Sequence, residues 1–367
     1  MGRSSTALIL AGRRHTASVG SDPTAAIRTR IRAQGPVTFA TFMELALYGP
    51  GGFYTDPPVG ADGDFVTSPH VHPAFGMFLA RALAGLADEL GSPNRLRVTE
   101  VGSGDGTLAR QILAELDASY TAVEVSAGAR TALRQIEGVE VADRLTAPVD
   151  LVLAHELLDN LPFRLVRDGQ EVLIGLDGET LIEHRVTLDD ELAGLLAGID
   201  TTGDVVVPVG ILRFIDELAA AVARGYALLI DYGDESGAGE PHGYREHRIV
   251  EDLLAAPGAA DITAGVDLGW VARHAERRGL HAFPSVCQTD ALLALGFEPW
   301  LDGELARQQE QLAGGQGLEA VRTWSARSRA SLLVDPGALG RMRWLLLATP
   351  ELREPDWLRR ARDRKTD

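Results

Sequence analysis

The sequence predicts an α/β fold: a Rossmann-like, seven-stranded sheet with crossover helices, an N-terminal helical cap, and an inserted helical and β-hairpin region. Three observations predict it. From Leu96 onward, short apolar runs alternate with helical stretches, the pattern of parallel strands joined by helices. The first of these strands runs directly into Gly102-Ser103-Gly104-Asp105-Gly106, a glycine-rich turn that opens a helix. The first two strands end on or beside acids, Glu100 and Glu124.

The elements follow in order along the chain. Residues 1–23 are expected as a disordered leader. Met1–Thr6 has the form of a myristoylation pattern, and Ala7–Gly12 is too short for a signal-peptide core. The cap, residues 24–92, opens with helices over Thr24–Ala33 and Thr38–Tyr48, punctuated by Gly35-Pro36 and Gly49–Gly52. A Gly-, Pro- and Asp-rich loop from Phe53 to Pro73 precedes a helix over Ala74–Glu89. Loops of that length are more often functional than idle. The core, residues 93–231, places strands at Leu96–Val101, Tyr120–Val125, Val139–Ala142, Asp150–Ala154 and Tyr226–Asp231. Its helices are Gly106–Leu116, Ala127–Gln135 and Ile211–Val222. Arg164–Gly175 and Thr180–Thr187 read as a hairpin inserted at about 163–187. Residues 232–280 form a substrate-side insertion, with a loop over Gly233–Arg248 and helices over Ile249–Ala255 and Leu268–Arg278. Residues 281–350 complete the sheet with strands His281–Val286 and Met342–Ala348, and helices at Asp290–Leu295 and across 304–330. Residues 351–367 read as a polar tail.

Composition bounds the function. Hydrophobic residues make up 45% and charged residues 24%, ordinary values for a chain that buries a core. A net charge of -17 argues against a nucleic-acid surface, because phosphate binding runs on Lys and Arg. It suits a cationic partner instead. One cysteine, Cys287, allows no intrachain disulfide; its apolar setting suggests a buried thiol, and its solitude suggests a reducing, cytoplasmic location. No run approaches the length of a membrane span. His242, His247, His274 and His281 lack metal-ligand spacing, so no metal is expected. Trp270, Trp300, Trp324 and Trp344 read as packing residues.

The glycine turn carries the chemistry. Its spacing is G-x-G-x-G, with Thr107 where a dinucleotide fingerprint calls for Gly or Ala, which disfavours NAD and FAD. Glu100 can face a cationic group. Glu124, beside Val125, can accept from both hydroxyls of a ribose, and Asp143, after strand three, from an adenine amino group. With Gly102, Ser103, Gly104, Asp105, Gly106, Thr107 and Leu108 these residues outline a site for S-adenosyl-L-methionine.

With these residues assembled, the chain resembles the MidA family of class I S-adenosylmethionine-dependent methyltransferases, from about Gly35 to Thr349. The resemblance rests on Gly35–Met43, Gly52-Phe53-Tyr54, Gly63–Pro69, Glu100–Leu108, Ala154–Pro162, Leu229–Gly233 and Asp261–Asp267. It implies the class I fold, methyl transfer from S-adenosylmethionine, and an arginine of a partner protein as acceptor. It also implies that Thr67, Ser68 and Pro69 close over the cofactor. Tyr54, Asp64, Phe65, His70, Asp231, Tyr232, Asp261 and Asp267 then face the substrate. Four departures cluster on that side: His70 where the family tends to have Glu, Met77 in place of an acid, Gly265 in place of His, and a short loop after Gly233.

Methyl transfer is an in-line displacement, so the enzyme's task is alignment. A guanidinium acceptor calls for carboxylates, which bind it directionally. Glu156 and Asp159 lie three apart after strand four, a spacing that on a helical turn puts both on one face. They are the catalytic candidates, and Asp159 equally suits a cap for the next turn. His155 reads as a general base, a lining of the cofactor pocket, or a structural histidine. Asp231 could be a strand-end turn acid, and Asp261, Thr263 and Asp267 a helix cap. The expected activity is N-methylation of arginine in a protein or peptide, with a homodimer admissible. O- or N-methylation of a small metabolite, and a non-catalytic S-adenosylmethionine-binding assembly factor, stand as alternatives.

Overall fold

A computed structural model describes residues 22–55, 67–93, 95–235, 237, 239–245 and 248–364. Residues 1–21 of the leader expected over 1–23 lie outside them, as do the candidates Asp64 and Phe65. Asp22 and Pro23 already belong to the first helix: the Asp22 side chain accepts from Thr24 N at 2.9 Å, and α1 spans Pro23–Gln34. Thr38 caps α2, Phe39–Tyr48, in the same way, through Thr41 N at 3.2 Å.

The central sheet is built from β1 (Leu96–Val101), β2 (Ala118–Val123), β3 (Val139–Ala142), β4 (Leu151–His155), β5 (Tyr226–Asp231), β6 (His281–Ala282), β7 (Val286–Cys287) and β8 (Arg343–Ala348). Their order is β6-β8-β5-β4-β1-β2-β3, with β7 also pairing β8. β1 to β5 run parallel, and β8 returns antiparallel along β5 from Tyr226↔Ala348 to Asp231↔Arg343. The predicted strand six is thus two short strands, which occupy one edge position.

Apolar runs such as Leu151-Val152-Leu153-Ala154 are buried on both faces, as a sheet covered by helices requires. One face packs α3 (Ala74–Glu89) and α4 (Thr107–Leu113), with Phe75, Phe78, Leu108 and Ile112 in the core. The helix α5, Ala127–Leu133, joins β2 to β3. The other face packs α6 (Val209–Ala221) and α7 (Leu268–Arg277) through Phe214, Ile215 and Val271. The chain leaves β1 toward β2 and β3, then crosses to place β4 on β1's other side. Crevices beyond the carboxyl ends at such a switch point are where α/β sheets hold ligands.

Four expectations need correction. The inserted hairpin is part of a five-stranded antiparallel sheet: Arg164–Arg167, Gln170–Asp177, Thr180–Thr187 and Asp204–Val207, with Val37–Thr38 from the cap. The run read as one strand breaks at Asp168-Gly169, both at positive φ (51° and 75°), a two-residue hairpin turn whose Asp-Gly signal stood in the sequence. Next, 249–255 is no helix: Arg248–Val250 pairs as a strand, and Ile249 is exposed. The 304–330 stretch is two helices, and α8 (Gln288–Ala294) precedes them. Finally, the polar tail folds into the helix Asp356–Asp363, whose Trp357, Leu358 and Ala361 are buried against α3 and the sheet.

Candidate active site

The glycine turn at the end of β1 is held by hydrogen bonds and left-handed backbone. Gly102, Gly104 and Gly106 have φ of 77°, 52° and 76°, a region that costs a side-chain-bearing residue about 1–2 kcal/mol. At Gly106 a Cβ would run into Ile136 and Leu133, so the helix N-terminus sits close on its neighbour. At Gly104 the space is open, with no atom within 4 Å of where a Cβ would be. Glu124 clamps this turn: its Oε2 accepts from Gly104 N at 2.9 Å and its Oε1 from Ser126 N at 2.8 Å. Burial raises its pKa, partly opposed by those amide donors. Glu100 is buried beneath the turn, accepts from Tyr120 OH at 2.8 Å, and is pushed by burial up to about 8. Asp143 is exposed just past β3, while Val125 and Leu108 flank the turn.

The cap reaches this turn through one helical turn at Ser68–Val71. His70 bridges Thr67 Oγ1 at 2.7 Å and Asp105 Oδ2 at 3.1 Å. Asp105 also accepts from Thr107 N and Oγ1, both at 2.9 Å; burial alone would raise its pKa, but the hydrogen bonds from His70 and Thr107 leave it lowered. Pro69 O accepts from Gln111 Nε2 at 2.8 Å. Ser68 N approaches Glu156 Oε1 at 3.4 Å, so this same turn touches both the glycine corner and the carboxylates beyond β4.

Those carboxylates are not on a helical face as the spacing suggested. Glu156 sits at φ 50°, a strained left-handed residue, and Asp159 follows on a 3₁₀ turn, Leu158–Asn160. Asp231, at the end of β5, holds that turn: Oδ2 accepts from Leu157 N at 3.0 Å and Leu158 N at 2.6 Å, and Oδ1 from Tyr232 N at 2.7 Å. Its contacts are thus those of the strand-end turn acid. Asp159 Oδ2 accepts from Thr263 Oγ1 at 2.9 Å, while its Oδ1 is buried without a partner. It does not cap a helix.

Asp261 accepts from Tyr54 OH at 3.0 Å and from Asn160 Nδ2 at 2.9–3.0 Å, tying the cap to the 3₁₀ turn. Asp267 caps α7 through Trp270 N at 2.7 Å, the helix-cap alternative. Tyr232 is half-buried, with the Arg341 guanidinium 5.4 Å from its ring centre. Tyr48 and Asn160 escaped notice in the sequence: Tyr48 stacks on Tyr54 at 5.5 Å and donates to Asn160 O at 3.2 Å. The Asp159-Asn160-Leu161-Pro162 run signalled a turn, but nothing local marked Asn160 as the partner of a residue 101 positions away.

The electrostatics are one-sided. Burial, with the Asp159 charge adding to it, raises Glu156 to about 8; burial raises Asp159; and burial, with Asp159 nearby, raises Asp261 to about 7. Among the described residues no Arg or Lys forms an ion pair with Glu100, Glu156, Asp159 or Asp261. His155, 3.2 Å from Glu156 Oε1 but not hydrogen-bonded to it, is lowered by burial to about 3. It is therefore neutral and a poor base near pH 7, so the general-base role is set aside. Cys287, expected buried, is half-buried and its thiol donates to Asp290 Oδ2 at 2.9 Å. No group of three or more metal-ligating side chains occurs among the described residues.

Glu100, Glu156 and Asp261 bind their protons more tightly folded than unfolded, so between about 4.5 and 8 the native state carries more protons. Their contribution to stability is full below the unfolded values and is lost as pH rises through 7 to 8. The ligand-free melting temperature is expected to fall from pH 6 to pH 9, with a smaller fall in Glu156→Gln. A flat profile in the wild type would refute this.

A family model described as S-adenosyl-L-methionine-dependent methyltransferase matches residues 78–286. The Drosophila melanogaster protein arginine methyltransferase NDUFAF7 homolog, mitochondrial, is 30% identical, over 86% of this chain and 82% of the relative. Human protein arginine methyltransferase NDUFAF7, mitochondrial, is 29% identical over 67% of each. A superfamily member from Burkholderia thailandensis, solved with S-adenosyl-homocysteine bound, superposes with a TM-score of 0.78 at 25% identity, covering 92% of this chain and 94% of that one. These relatives overturn the cytoplasmic location read from the lone cysteine, since the curated ones are named as mitochondrial. Cysteine count reports redox state, and a mitochondrial protein can meet the same condition. The fold, the glycine turn and these similarities agree, and the chain belongs to this family, the MidA-type S-adenosyl-L-methionine-dependent methyltransferases.

Proposed function

We propose that the acceptor is an arginine side chain of a protein or peptide, methylated on nitrogen. The observation that carries this is the set of buried carboxylates around Asp159, with which no Arg or Lys forms an ion pair among the described residues, His242 alone lowering Asp159 through its charge. A carboxylate oxygen left buried and unpaired costs stability, and a guanidinium entering the site would satisfy it with directional N–H···O bonds. The arginine methyltransferase names of the relatives point the same way.

In this reading Glu124 and the glycine turn hold the ribose, with Glu100 beneath the cationic end of the cofactor and Asp143 at the adenine edge. The open face at Gly104 and the cation-free Glu100 fit such a group. S-adenosylmethionine bound there supplies an electrophilic methyl. Asp159, steadied by Thr263 through one oxygen, offers the other to the acceptor; Glu156 takes the second edge of the guanidinium and receives the proton that nitrogen sheds. The turn at Ser68 covers this junction and excludes water.

The test uses isotopically labelled methyl donor with two peptides that differ only in Arg or Lys, and with a whole protein extract hydrolysed for methylarginine. Label is expected on arginine alone. Transfer to lysine or to a small metabolite, or none to any arginine by donor-binding protein, would sink the reading.

A further inference from the structure

Of the eight large apolar side chains exposed among the described residues, six lie on one helical hairpin or at its end: Leu305, Leu312, Leu318, Val321, Trp324 and Leu332. Its helices are α9 (Phe297–Ala313) and α10 (Gly317–Ser331), joined through Gly314-Gly315 and tied by Thr323 Oγ1 to Gln311 at 2.9 Å and Arg327 to Gln308 at 3.2 Å. The α10 residues Ala320, Thr323 and Ala330 face inward. Offset from them by half a turn, Leu318, Val321, Ser325, Ser328 and Leu332 recur every three or four residues as an outward stripe of apolar and small side chains. Trp324 flanks it and is 53% exposed, which corrects its reading as a packing residue. On α9, Leu305 and Leu312 lie seven apart on the outer side.

The charges beside these stripes have opposite signs. Exposed Arg322 and Arg329 edge the α10 stripe, Arg322 paired with Glu319 on the same helix, while α9 carries exposed Glu298, Asp302 and Glu310 beside an Arg307–Glu304 pair, so the unpaired charge is acidic on α9 and basic on α10. None of those three acids is in an ion pair among the described residues. A surface with an acidic half and a basic half, each centred on apolar side chains, complements itself under a two-fold rotation. We propose that two copies of this chain associate through the hairpin, α10 of each lying over α9 of the other, to form a four-helix bundle. Two helices about 25 Å long and about 10 Å wide present a face on the order of 500 Å². That is the main part of the roughly 800 Å² per partner of a standard interface once the edges are added.

The proposal stands apart from the acceptor's identity. Its test is sedimentation velocity of the full chain from about 1 to about 100 µM, a range that brackets a micromolar dissociation constant. The wild type is expected to sediment as a dimer. Val321→Glu with Trp324→Glu should be monomeric with unchanged circular dichroism and S-adenosylmethionine binding. Arg322→Glu with Arg329→Glu should weaken the dimer about 10-fold or more, and adding Glu298→Arg and Asp302→Arg should restore it. A wild type that stays monomeric, as a face for a different protein would, overturns the proposal. So does a Val321→Glu, Trp324→Glu variant that remains dimeric, or a charge reversal that the second pair fails to restore.

Discussion

Glu156→Gln is expected to lower kcat by roughly 10²- to 10⁴-fold, the range for losing a positioned proton acceptor, while S-adenosylmethionine affinity changes by less than about 3-fold. The substitution keeps the shape and the approach to Ser68 N, and removes the charge and the basicity. It leaves intact the glycine turn, which Glu124 clamps from the other side. In the free enzyme burial raises Glu156 to about 8, so kcat/KM for a cationic acceptor should climb as pH rises toward 8, and the Gln variant should lose that limb. Asp159→Asn should act mainly on KM for the acceptor, because its buried oxygen has no partner within the chain and, in the proposed function, binds the guanidinium. Steady-state rates at several pH values with a fixed arginine peptide decide this. Wild-type turnover in Glu156→Gln would remove Glu156 from the chemistry.

Glu124→Ala is the second large effect: calorimetry should show S-adenosylmethionine binding weakened about 100-fold or more. A hydrogen bond to a charged group contributes about 1.5–3 kcal/mol, and two ribose hydroxyls would be lost together. The substitution also frees Gly104 N and Ser126 N, so the turn loses its clamp. Glu124→Gln, which keeps one acceptor, should bind with intermediate affinity and separates ribose recognition from turn shape. Asp143→Ala should cost less than about 10-fold, because the exposed carboxylate competes with water. Undiminished binding by a folded Glu124→Ala would move the ribose elsewhere.

Legibility differed between parts of the chain for physical reasons. Strands β1, β3 and β5 were read to the residue for different reasons: β5 is a continuous buried apolar run ending on an acid, β1 is mostly buried and ends in the glycine turn, and β3, a half-exposed edge strand, shows as the alternation Val139-Glu140-Val141. The inserted sheet was read as a hairpin because its edge partners, Val37–Thr38 and Asp204–Val207, are too short to show a period. Ile249 misled because an exposed isoleucine on a short strand looks like the start of an apolar helix face. The C-terminal helix is charged overall, and its three buried residues are recognisable only against the surface they cover.

By itself the sequence determined the fold class, the glycine corner and the methyl donor, and offered Glu100, Glu124, Glu156 and Asp159 as candidates, because these rest on local backbone geometry and short spacings. Only the tertiary structure decided what each acid contacts. Asp231 and Asp267 spend their oxygens on backbone amides, Asp261 on Tyr54 and Asn160, and Asp159 keeps one oxygen unpaired. The reason is that burial and hydrogen-bond partners, which set a carboxylate's charge and freedom, come from residues as far as 207 positions away, as Tyr54 does for Asp261.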